Sequence, residues 1–155
     1  MPLEIEHKYL INQEKWQHVI PERTVEMAQA YMVSESEKTI RIRIAGEQAY
    51  LTIKGKSKGA TRAEFEYEIP KNEAQELIDQ FCSEIVKKRR HFVVFNGKTW
   101  EIDEFLDKNQ GLIVAEIELD AEDEFYEKPE WVTKDVTHDY RYTNSQLAKV
   151  PYCDW

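Results

Sequence analysis

Cysteine, glycine and proline are all scarce in this sequence of 155 residues, which contains two cysteines, five glycines and five prolines. Cys82 and Cys153 are too few for a disulfide-stabilised scaffold and have no metal-binding spacing. The low glycine and proline content, together with 41% hydrophobic residues, excludes a low-complexity or disordered chain. We therefore expect a single domain covering residues 1–155, large enough to bury its own core.

Long apolar runs and a positive charge balance are also missing. No run approaches the roughly 20 residues that a transmembrane helix needs, and the N-terminus has no signal-peptide pattern. The sequence therefore predicts a cytoplasmic protein that does not associate with membranes. The formal net charge of −9 also argues against a general nucleic-acid or anionic-membrane binder, because such proteins are usually basic. A local basic site is still compatible with this charge.

Charged and apolar residues alternate in the first predicted strand, Leu3–Leu10. Successive side chains of a strand point to opposite faces, so Glu4, Glu6 and Lys8 share one face. The other face carries an isoleucine, a histidine and a tyrosine. In a single strand this pattern is common on a solvated sheet face. It becomes informative because it recurs along the chain.

The same alternation is found in later strands, and charges of one sign tend to collect in each. These strands are predicted at residues 26–34, 39–44, 50–54, 62–69, 86–95, 99–105 and 112–119. Random surface decoration would mix the two signs within a strand more often. The charged residues that lie in phase are Glu4, Glu6, Lys8, Arg41, Arg43, Lys54, Arg62, Glu64, Glu66, Lys88, Arg90, Glu101, Asp103, Glu116 and Glu118.

About eight strands at short spacing, joined mostly by turns, predict an antiparallel barrel or a strongly curled sheet. A helix predicted over Asn72–Ile85, with a capping box of Asn72 and Gln75, has an apolar stripe that needs a sheet to cover. If helices cover the apolar face of the sheet, closure turns the charged face inward. A second helix is predicted near Ala121–Lys128 and a short one after a cap at Asn144, so the fold class is α+β.

An interior lined by carboxylates and fixed cations suits one class of ligand. Hard divalent cations such as Mg²⁺ and Mn²⁺ take oxygen ligands from carboxylates and from phosphates at the same time. Arginine and lysine bind the remaining phosphate oxygens. Since phosphoryl transfer mainly requires positioning and charge neutralisation, the pattern predicts a site for a metal-bound polyphosphate.

The opening Glu4-Ile-Glu-His-Lys8 resembles the ExExK signature of the CYTH superfamily, also called triphosphate tunnel metalloenzymes. Further motifs follow in the family's order over nearly the full length: Tyr31, Arg41-x-Arg43, Lys54, Arg62-x-Glu64-x-Glu66, Lys88-x-Arg90, Glu101-x-Asp103 and Glu116-x-Glu118. The segment Asp139-x-Arg141-Tyr142-x-Asn144 resembles the family's usual ending. A lone ExExK motif is unspecific, whereas the ordered set is specific.

The resemblance implies a closed eight-stranded antiparallel β-barrel with helices packed outside, whose tunnel binds a triphosphate and hydrolyses it with Mg²⁺ or Mn²⁺. The implied metal ligands are Glu4, Glu6, Glu116 and Glu118, with Glu64 or Glu66 contributing directly or through water. The implied triphosphate-binding residues are Lys8, Arg41, Arg43, Lys54, Lys88 and Arg90. In short bacterial members a Lys–Tyr pair handles the proton of the attacking water, and Lys54 and Tyr31 match that pair. Further tunnel candidates are Arg62, Glu101, Asp103 and Arg141.

The predicted reaction is hydrolysis of inorganic tripolyphosphate to pyrophosphate and phosphate, so the expected partner is a small triphosphate. Thiamine triphosphatase and class IV adenylyl cyclase stay open as alternatives within the family. A non-catalytic polyphosphate-binding module is the alternative from another class. The glutamate pairs argue against such a module, because a pure polyanion binder has no use for so many inward carboxylates without metal. The sequence does not fix the preferred metal or the oligomeric state, and a homodimer is compatible with it.

Overall fold

Eight antiparallel strands close into a β-barrel in the computed structural model of the protein, which describes residues 2–155. The strands are β1 (Leu3–Ile11), β2 (Arg23–Ser34), β3 (Lys38–Ala45), β4 (Gln48–Gly55), β5 (Thr61–Ile69), β6 (Ile85–Phe95), β7 (Lys98–Phe105) and β8 (Ile113–Glu118). Around the barrel they follow the order β1-β5-β4-β3-β2-β6-β7-β8, and β8 returns to β1. The predicted closed eight-stranded barrel is therefore confirmed.

Strand β1 is the seam at which the barrel closes. Its first residues pair with β5, where Glu4 lies opposite Arg62. Its later residues pair with β8, where Glu6 lies opposite Glu118. A ninth strand, β9 (Val132–Asp135), which the sequence pattern does not predict, pairs with the end of β1.

Within residues 2–155, three α-helices lie outside the barrel: α1 (Gln13–Trp16), α2 (Lys71–Phe81) and α3 (Asn144–Lys149). Residues of α2, Ala74 and Ile78, pack on an apolar cluster of the sheet that contains Ile42. Burial of this apolar stripe explains why α2 lies against the barrel rather than in solvent. Over the described residues, no helix has the length and apolarity that crossing a membrane requires.

Helix α2 is shorter than predicted. It ends at Phe81, and Ile85 is the first residue of β6, where it pairs with Ala30. The apolar side chain of Ile85 fits the helical stripe and the strand equally well, and sheet pairing decides between them. The predicted capping box is absent from the described helix, because Pro70 is the N-cap and Gln75 donates to Asp79 instead.

The helix predicted near Ala121–Lys128 does not form. A turn occupies the beginning of this segment, where the carboxylate of Glu124 accepts a hydrogen bond from the Asp120 N–H. Further along, the Tyr126 hydroxyl lies 2.6 Å from Nδ1 of His7 on the outside of the barrel. Tyr126 also packs against a buried outer cluster around Trp100 and Trp131. These tertiary contacts outweigh the weak local preference of the segment for a helix.

The barrel interior changes from charged to apolar along its axis. Leu10, Val86, Phe105 and Val114 continue the inward-facing rows of the charged residues on β1, β6, β7 and β8. Leu147 of α3 packs against them, so an apolar core fills one end of the barrel. The charged side chains are thereby confined to the remaining part of the interior.

Candidate active site

A polar cavity of about 200 Å³ occupies the charged part of the barrel interior. All eight barrel strands contribute residues to its wall, as do the N-cap and the first residues of α3. Every site residue predicted from the sequence lines this cavity, with the exception of Lys88, Asp103 and Arg141. The inward orientation of the charged face is therefore confirmed.

Antiparallel pairing brings these residues together across neighbouring strands. Lys8 lies opposite Glu116 on β8, and Glu116 in turn lies opposite Glu101 on β7. Tyr31 of β2 lies opposite Arg41 of β3. Directly opposite residues of a sheet point to the same face, so one charged residue in phase brings its cross-strand neighbours into the same cavity.

Three carboxylates form a cluster in which the chain leaves negative charge uncompensated. Glu4, Glu6 and Glu118 each place one oxygen within 4.8 Å of the other two. Neither Glu6 nor Glu118 forms an ion pair with any other of residues 2–155. Burial and the nearby Glu116 and Glu4 raise the pKa of Glu6 to about 8. Burial, with Glu101 and Glu4, likewise raises the pKa of Glu118.

The other predicted metal ligands lie beside cations of the chain. Glu116 is 3.5 Å from the Lys8 ammonium. Burial alone would raise the pKa of Glu116, but the positive charges of Lys8 and Arg90 hold that pKa below its usual range. Glu64 is 3.2 Å from Nζ of Lys54, and Glu66 is 3.8 Å from Nη2 of Arg41. The structure thus gathers three of the six predicted ligands into one oxygen cluster.

The cationic wall of the cavity keeps at least one donor without a partner. Arg41 is buried, and its Nη2 lies 3.4 Å from the Thr52 hydroxyl. Its Nε finds no hydrogen-bond partner among the described residues. The Lys54 ammonium lies 3.1 Å from both carboxylate oxygens of Glu4. A buried donor without a partner is costly, so the Arg41 guanidinium is suited to an anionic ligand.

Lys88 and Asp103 lie behind the cavity wall in a buried charge network. The Lys88 ammonium is 2.7 Å from Asp103, which also accepts two hydrogen bonds from Arg90 at 2.7 and 2.9 Å. Burial lowers the pKa of Lys88 to about 7, despite the opposing effect of Asp103. Lys88 donates to Asn144, whose side chain lines the cavity. Lys88 is therefore connected to the cavity wall through Asn144, and its predicted role in triphosphate binding stays a prediction.

Arg141 lies on the outside of the protein rather than in the tunnel. Its guanidinium is 2.7 Å from Asp139 and stacks over the ring of Trp155 at 4.9 Å from the ring centre. More than half of its side chain is exposed. The resemblance to the family's C-terminal motif placed Arg141 in the tunnel, but the motif instead serves to fold the C-terminal segment.

The predicted catalytic pair of Lys54 and Tyr31 is present in the cavity, but its members are not joined by a hydrogen bond in the part of the chain that the structure describes. Lys54 is held by Glu4 and Glu64. The Tyr31 hydroxyl accepts a hydrogen bond from the amide of Gln29 at 2.8 Å. The joint role of the two residues in proton transfer therefore stays a prediction.

Four further polar residues line the cavity although the sequence did not mark them as site residues. Thr39 lies in phase with Arg41 on β3, so strand alternation could have identified it. Thr143, Asn144 and Ser145 come from the start of α3 and reach the cavity from outside the barrel. No periodicity connects them with the strands, so the folded arrangement is needed to place them at the cavity, although Asn144 is the last residue of the C-terminal motif that resembles the family's ending.

Comparison with known proteins agrees with this architecture. A family model for the CYTH domain matches residues 2–151. An inorganic triphosphatase from Acetivibrio thermocellus is 41% identical over 153 residues, which cover 98% of this chain and 97% of the relative. The crystal structure of the inorganic triphosphatase NE1496 is 27% identical, with a TM-score of 0.64 and coverage of 96% of this chain and 95% of that chain.

A more distant structure shares the fold. HpAC1 from Hippeastrum, a candidate adenylyl cyclase with a dominant triphosphatase activity, is 16% identical with a TM-score of 0.59. The match covers 78% of this chain and 80% of HpAC1. The match of the family model over nearly the whole chain and the similarity to the A. thermocellus enzyme lead to one conclusion: the chain belongs to the CYTH domain family.

Proposed function

We propose that the protein is a metal-dependent triphosphatase that hydrolyses inorganic tripolyphosphate to pyrophosphate and phosphate. The observation that supports this best is a single cavity in which a carboxylate cluster faces arginine and lysine side chains, and two of its three members lack an ion-pair partner among residues 2–155. The 41% identity to an inorganic triphosphatase points to the same reaction. The small triphosphate is the one partner we propose, and a cytoplasmic location stays a prediction from the sequence.

The carboxylate cluster fits a hard divalent cation. Glu4, Glu6 and Glu118 supply only oxygen donors, which is the ligand chemistry that Mg²⁺ and Mn²⁺ prefer. The raised pKa of Glu6, to about 8, reflects burial and like-charge repulsion that a cation would relieve. These three residues would hold the metal, with Glu116 as a neighbouring candidate ligand. When bound, such an ion neutralises phosphate charge and polarises the phosphorus–oxygen bonds.

The cationic side chains would bind and orient the triphosphate. Arg41 offers an unpaired Nε–H, and the rigid guanidinium matches two phosphate oxygens at once. Arg43 and Arg90 lie on neighbouring walls of the same cavity, and Lys8 and Lys54 add point charges. In hydrolysis, the oxygen of a water molecule bonds to the terminal phosphorus. The bridging oxygen leaves with pyrophosphate, and the water gives up a proton.

The lining of the cavity favours an inorganic substrate over a nucleotide or a thiamine derivative. Among the described residues that line it, Tyr31 is the one aromatic and none is aliphatic. An adenine or thiazole ring binds best where apolar or aromatic surface can cover it. Tripolyphosphate needs only charged and hydrogen-bonding groups, so the all-polar wall supports it as the substrate.

Phosphate release from tripolyphosphate, thiamine triphosphate and ATP, each with Mg²⁺, with Mn²⁺ and with EDTA, tests the proposal. We expect kcat/KM for tripolyphosphate to exceed that for ATP by at least about 100-fold, a difference of roughly 2.7 kcal/mol. EDTA should abolish the reaction, and added metal should restore it. Accumulation of cyclic AMP and pyrophosphate from ATP would indicate a cyclase. Tight binding of tripolyphosphate without turnover would indicate a non-catalytic module.

A further inference from the structure

Gln29 is a fully buried polar residue to which the mechanism above assigns no role. It lies on β2 two residues before Tyr31, so both side chains point into the barrel. Its amide makes two hydrogen bonds: Oε1 accepts from Nε of Arg43 at 3.1 Å, and Nε2 donates to the Tyr31 hydroxyl at 2.8 Å. Gln29 therefore connects a proposed phosphate-binding arginine to the tyrosine of the cavity.

The orientation of this amide follows from the chemistry of its partners. An arginine Nε–H can only donate, so the side of the Gln29 amide that faces Arg43 must be the carbonyl oxygen. The NH₂ group then faces Tyr31, and an amide nitrogen can only donate. Arg43 thus fixes the orientation of the Gln29 amide. The oriented amide in turn makes the hydroxyl oxygen of Tyr31 a hydrogen-bond acceptor.

The hydroxyl proton of Tyr31 must therefore point away from Gln29. Tyr31 is 5% exposed, and its hydroxyl has no acceptor among residues 2–155. Tyr31 lines the cavity, directly across the sheet from Arg41, whose Nε–H also lacks a partner. Tyr31 and Arg41 of two adjacent strands thus line the same cavity, and a phosphate oxygen bound there is an acceptor for the free hydroxyl proton of Tyr31.

We propose that Gln29 is a positioning residue that makes the Tyr31 hydroxyl a hydrogen-bond donor to a phosphate oxygen of the substrate. This inference rests on the proposed triphosphatase function and refines the role of Tyr31. The sequence prediction was that Tyr31 helps Lys54 to remove a proton from the attacking water. A neutral hydroxyl whose oxygen already accepts from Gln29 is instead arranged to donate its own proton.

The substitution Gln29→Glu tests the proposal because it reverses one hydrogen bond and keeps the other. A glutamate has nearly the same shape and still accepts from Arg43, but it presents an acceptor to Tyr31. The hydroxyl proton would then turn toward residue 29 and away from the substrate. Since a hydrogen bond to a charged group is lost, we expect kcat/KM for tripolyphosphate to fall by about 10- to 100-fold, as in Tyr31→Phe.

A double-mutant cycle separates this role from a merely structural one. In the Tyr31→Phe background, Gln29→Glu should change kcat/KM by less than about threefold, because the group it acts through is gone. Gln29→Met removes the amide without adding a charge, and its effect on kcat/KM should likewise disappear in the Tyr31→Phe background. If Gln29→Glu does not fold, Gln29→Met replaces it in the cycle. Gln80→Glu, an exposed charge change on α2, is the control and should match the parent.

Each outcome of this cycle decides between the two hypotheses. If the parent hydrolyses tripolyphosphate and Gln29→Glu stays within threefold of it, Gln29 does not position Tyr31 and the proposed function survives. The positioning role would also be overturned if the losses of kcat/KM in Gln29→Glu and Tyr31→Phe multiply in the double variant. A Tyr31→Phe variant with the kcat/KM of the parent would overturn it as well. A parent that neither binds nor hydrolyses tripolyphosphate would instead refute the proposed function.

Discussion

Two groups of charged residues face the barrel interior and differ in how they are buried and balanced: Lys88, Arg90 and Asp103 are buried, whereas Glu4 and Glu6 are half-buried and Glu118 is exposed. In the network of Lys88, Arg90 and Asp103, every charge has a partner, and Arg90 and Lys88 outweigh burial to hold the pKa of Asp103 far below its usual range. In the cluster of Glu4, Glu6 and Glu118, two carboxylates have no ion-pair partner among the described residues, and the pKa values of Glu6 and Glu118 are raised.

This difference distinguishes a structural charge network from a ligand site. A charge removed from water is costly unless an opposite charge or hydrogen bonds compensate it. The chain itself supplies that compensation for Asp103, whereas for Glu6 and Glu118 it does not. We therefore infer that the network around Asp103 stabilises the fold, and that the carboxylate cluster is stabilised by a bound cation.

The largest expected effect comes from breaking the balanced network. Asp103→Asn would leave Lys88 and Arg90 buried without their shared carboxylate, although Arg90 keeps Glu101 as a partner at 2.8 Å. We expect a loss of about 3 kcal/mol in the free energy of unfolding, which corresponds to a decrease in Tm of about 10 °C. Thermal denaturation with and without Mg²⁺ measures it, and a Tm within 2 °C of the parent would show that the network is not structural.

The next effect concerns the unbalanced cluster. Glu118→Gln keeps the shape of the side chain and removes one negative charge, so the metal-free protein should be at least as stable as the parent. Because a metal ligand is lost, kcat/KM for tripolyphosphate at subsaturating Mg²⁺ should fall by about 100-fold or more. Glu76→Gln on the exposed face of α2 is the matched control. Turnover of Glu118→Gln equal to that of the control would remove Glu118 from the metal site.

The smallest predicted effect is a pH dependence of the metal-free protein. The pKa of Glu6 is raised to about 8 and that of Glu64 to about 7, so between pH 5 and pH 7 the folded state binds more protons than the unfolded state. The free energy of unfolding should therefore decrease as the pH rises, by about 2 kcal/mol over this range for the proton of Glu6, and the more exposed Glu64 adds a smaller contribution of the same sign. Above pH 7 the lowered pKa of Lys88 acts in the opposite direction.

Denaturant titrations at pH 5, 6 and 7, with EDTA and then with saturating Mg²⁺, measure this slope. Metal should flatten it, because a bound cation favours the ionised carboxylates. Metal-free stability that increases from pH 5 to pH 7 would mean that the cluster is not repulsive.

Strand alternation made much of the fold and the cavity predictable. Glu4 and Glu6, Arg41 and Arg43, and Glu116 and Glu118 all face inward, because position parity alone decides the face of a strand. The turn between β6 and β7 is also determined locally: Asn96 and Gly97 adopt positive φ values, 50° and 77°, as a type I′ turn requires, and Asn-Gly is the dipeptide that favours this turn.

Depth along the barrel axis was not predictable in the same way. Lys88 and Arg90 have the same parity, yet Arg90 reaches the cavity and Lys88 lies behind its wall. That distinction depends on the stagger of neighbouring strands and on where α3 packs. The outward position of Arg141 and the contribution of Thr143 to the cavity depend on the same tertiary packing, for which the local sequence has no periodic signal.

Calorimetric titration of Mn²⁺ into the metal-free protein at pH 7, in two buffers that differ in ionisation enthalpy, tests the central claim most directly. We predict that the parent binds Mn²⁺ with release of protons, since the pKa of Glu6 is about 8 before binding. Glu118→Gln should bind Mn²⁺ at least about tenfold more weakly, whereas Glu76→Gln should match the parent. Equal affinity of the parent and Glu118→Gln, or no Mn²⁺ binding by the parent, would contradict the assignment of this carboxylate cluster as the metal site.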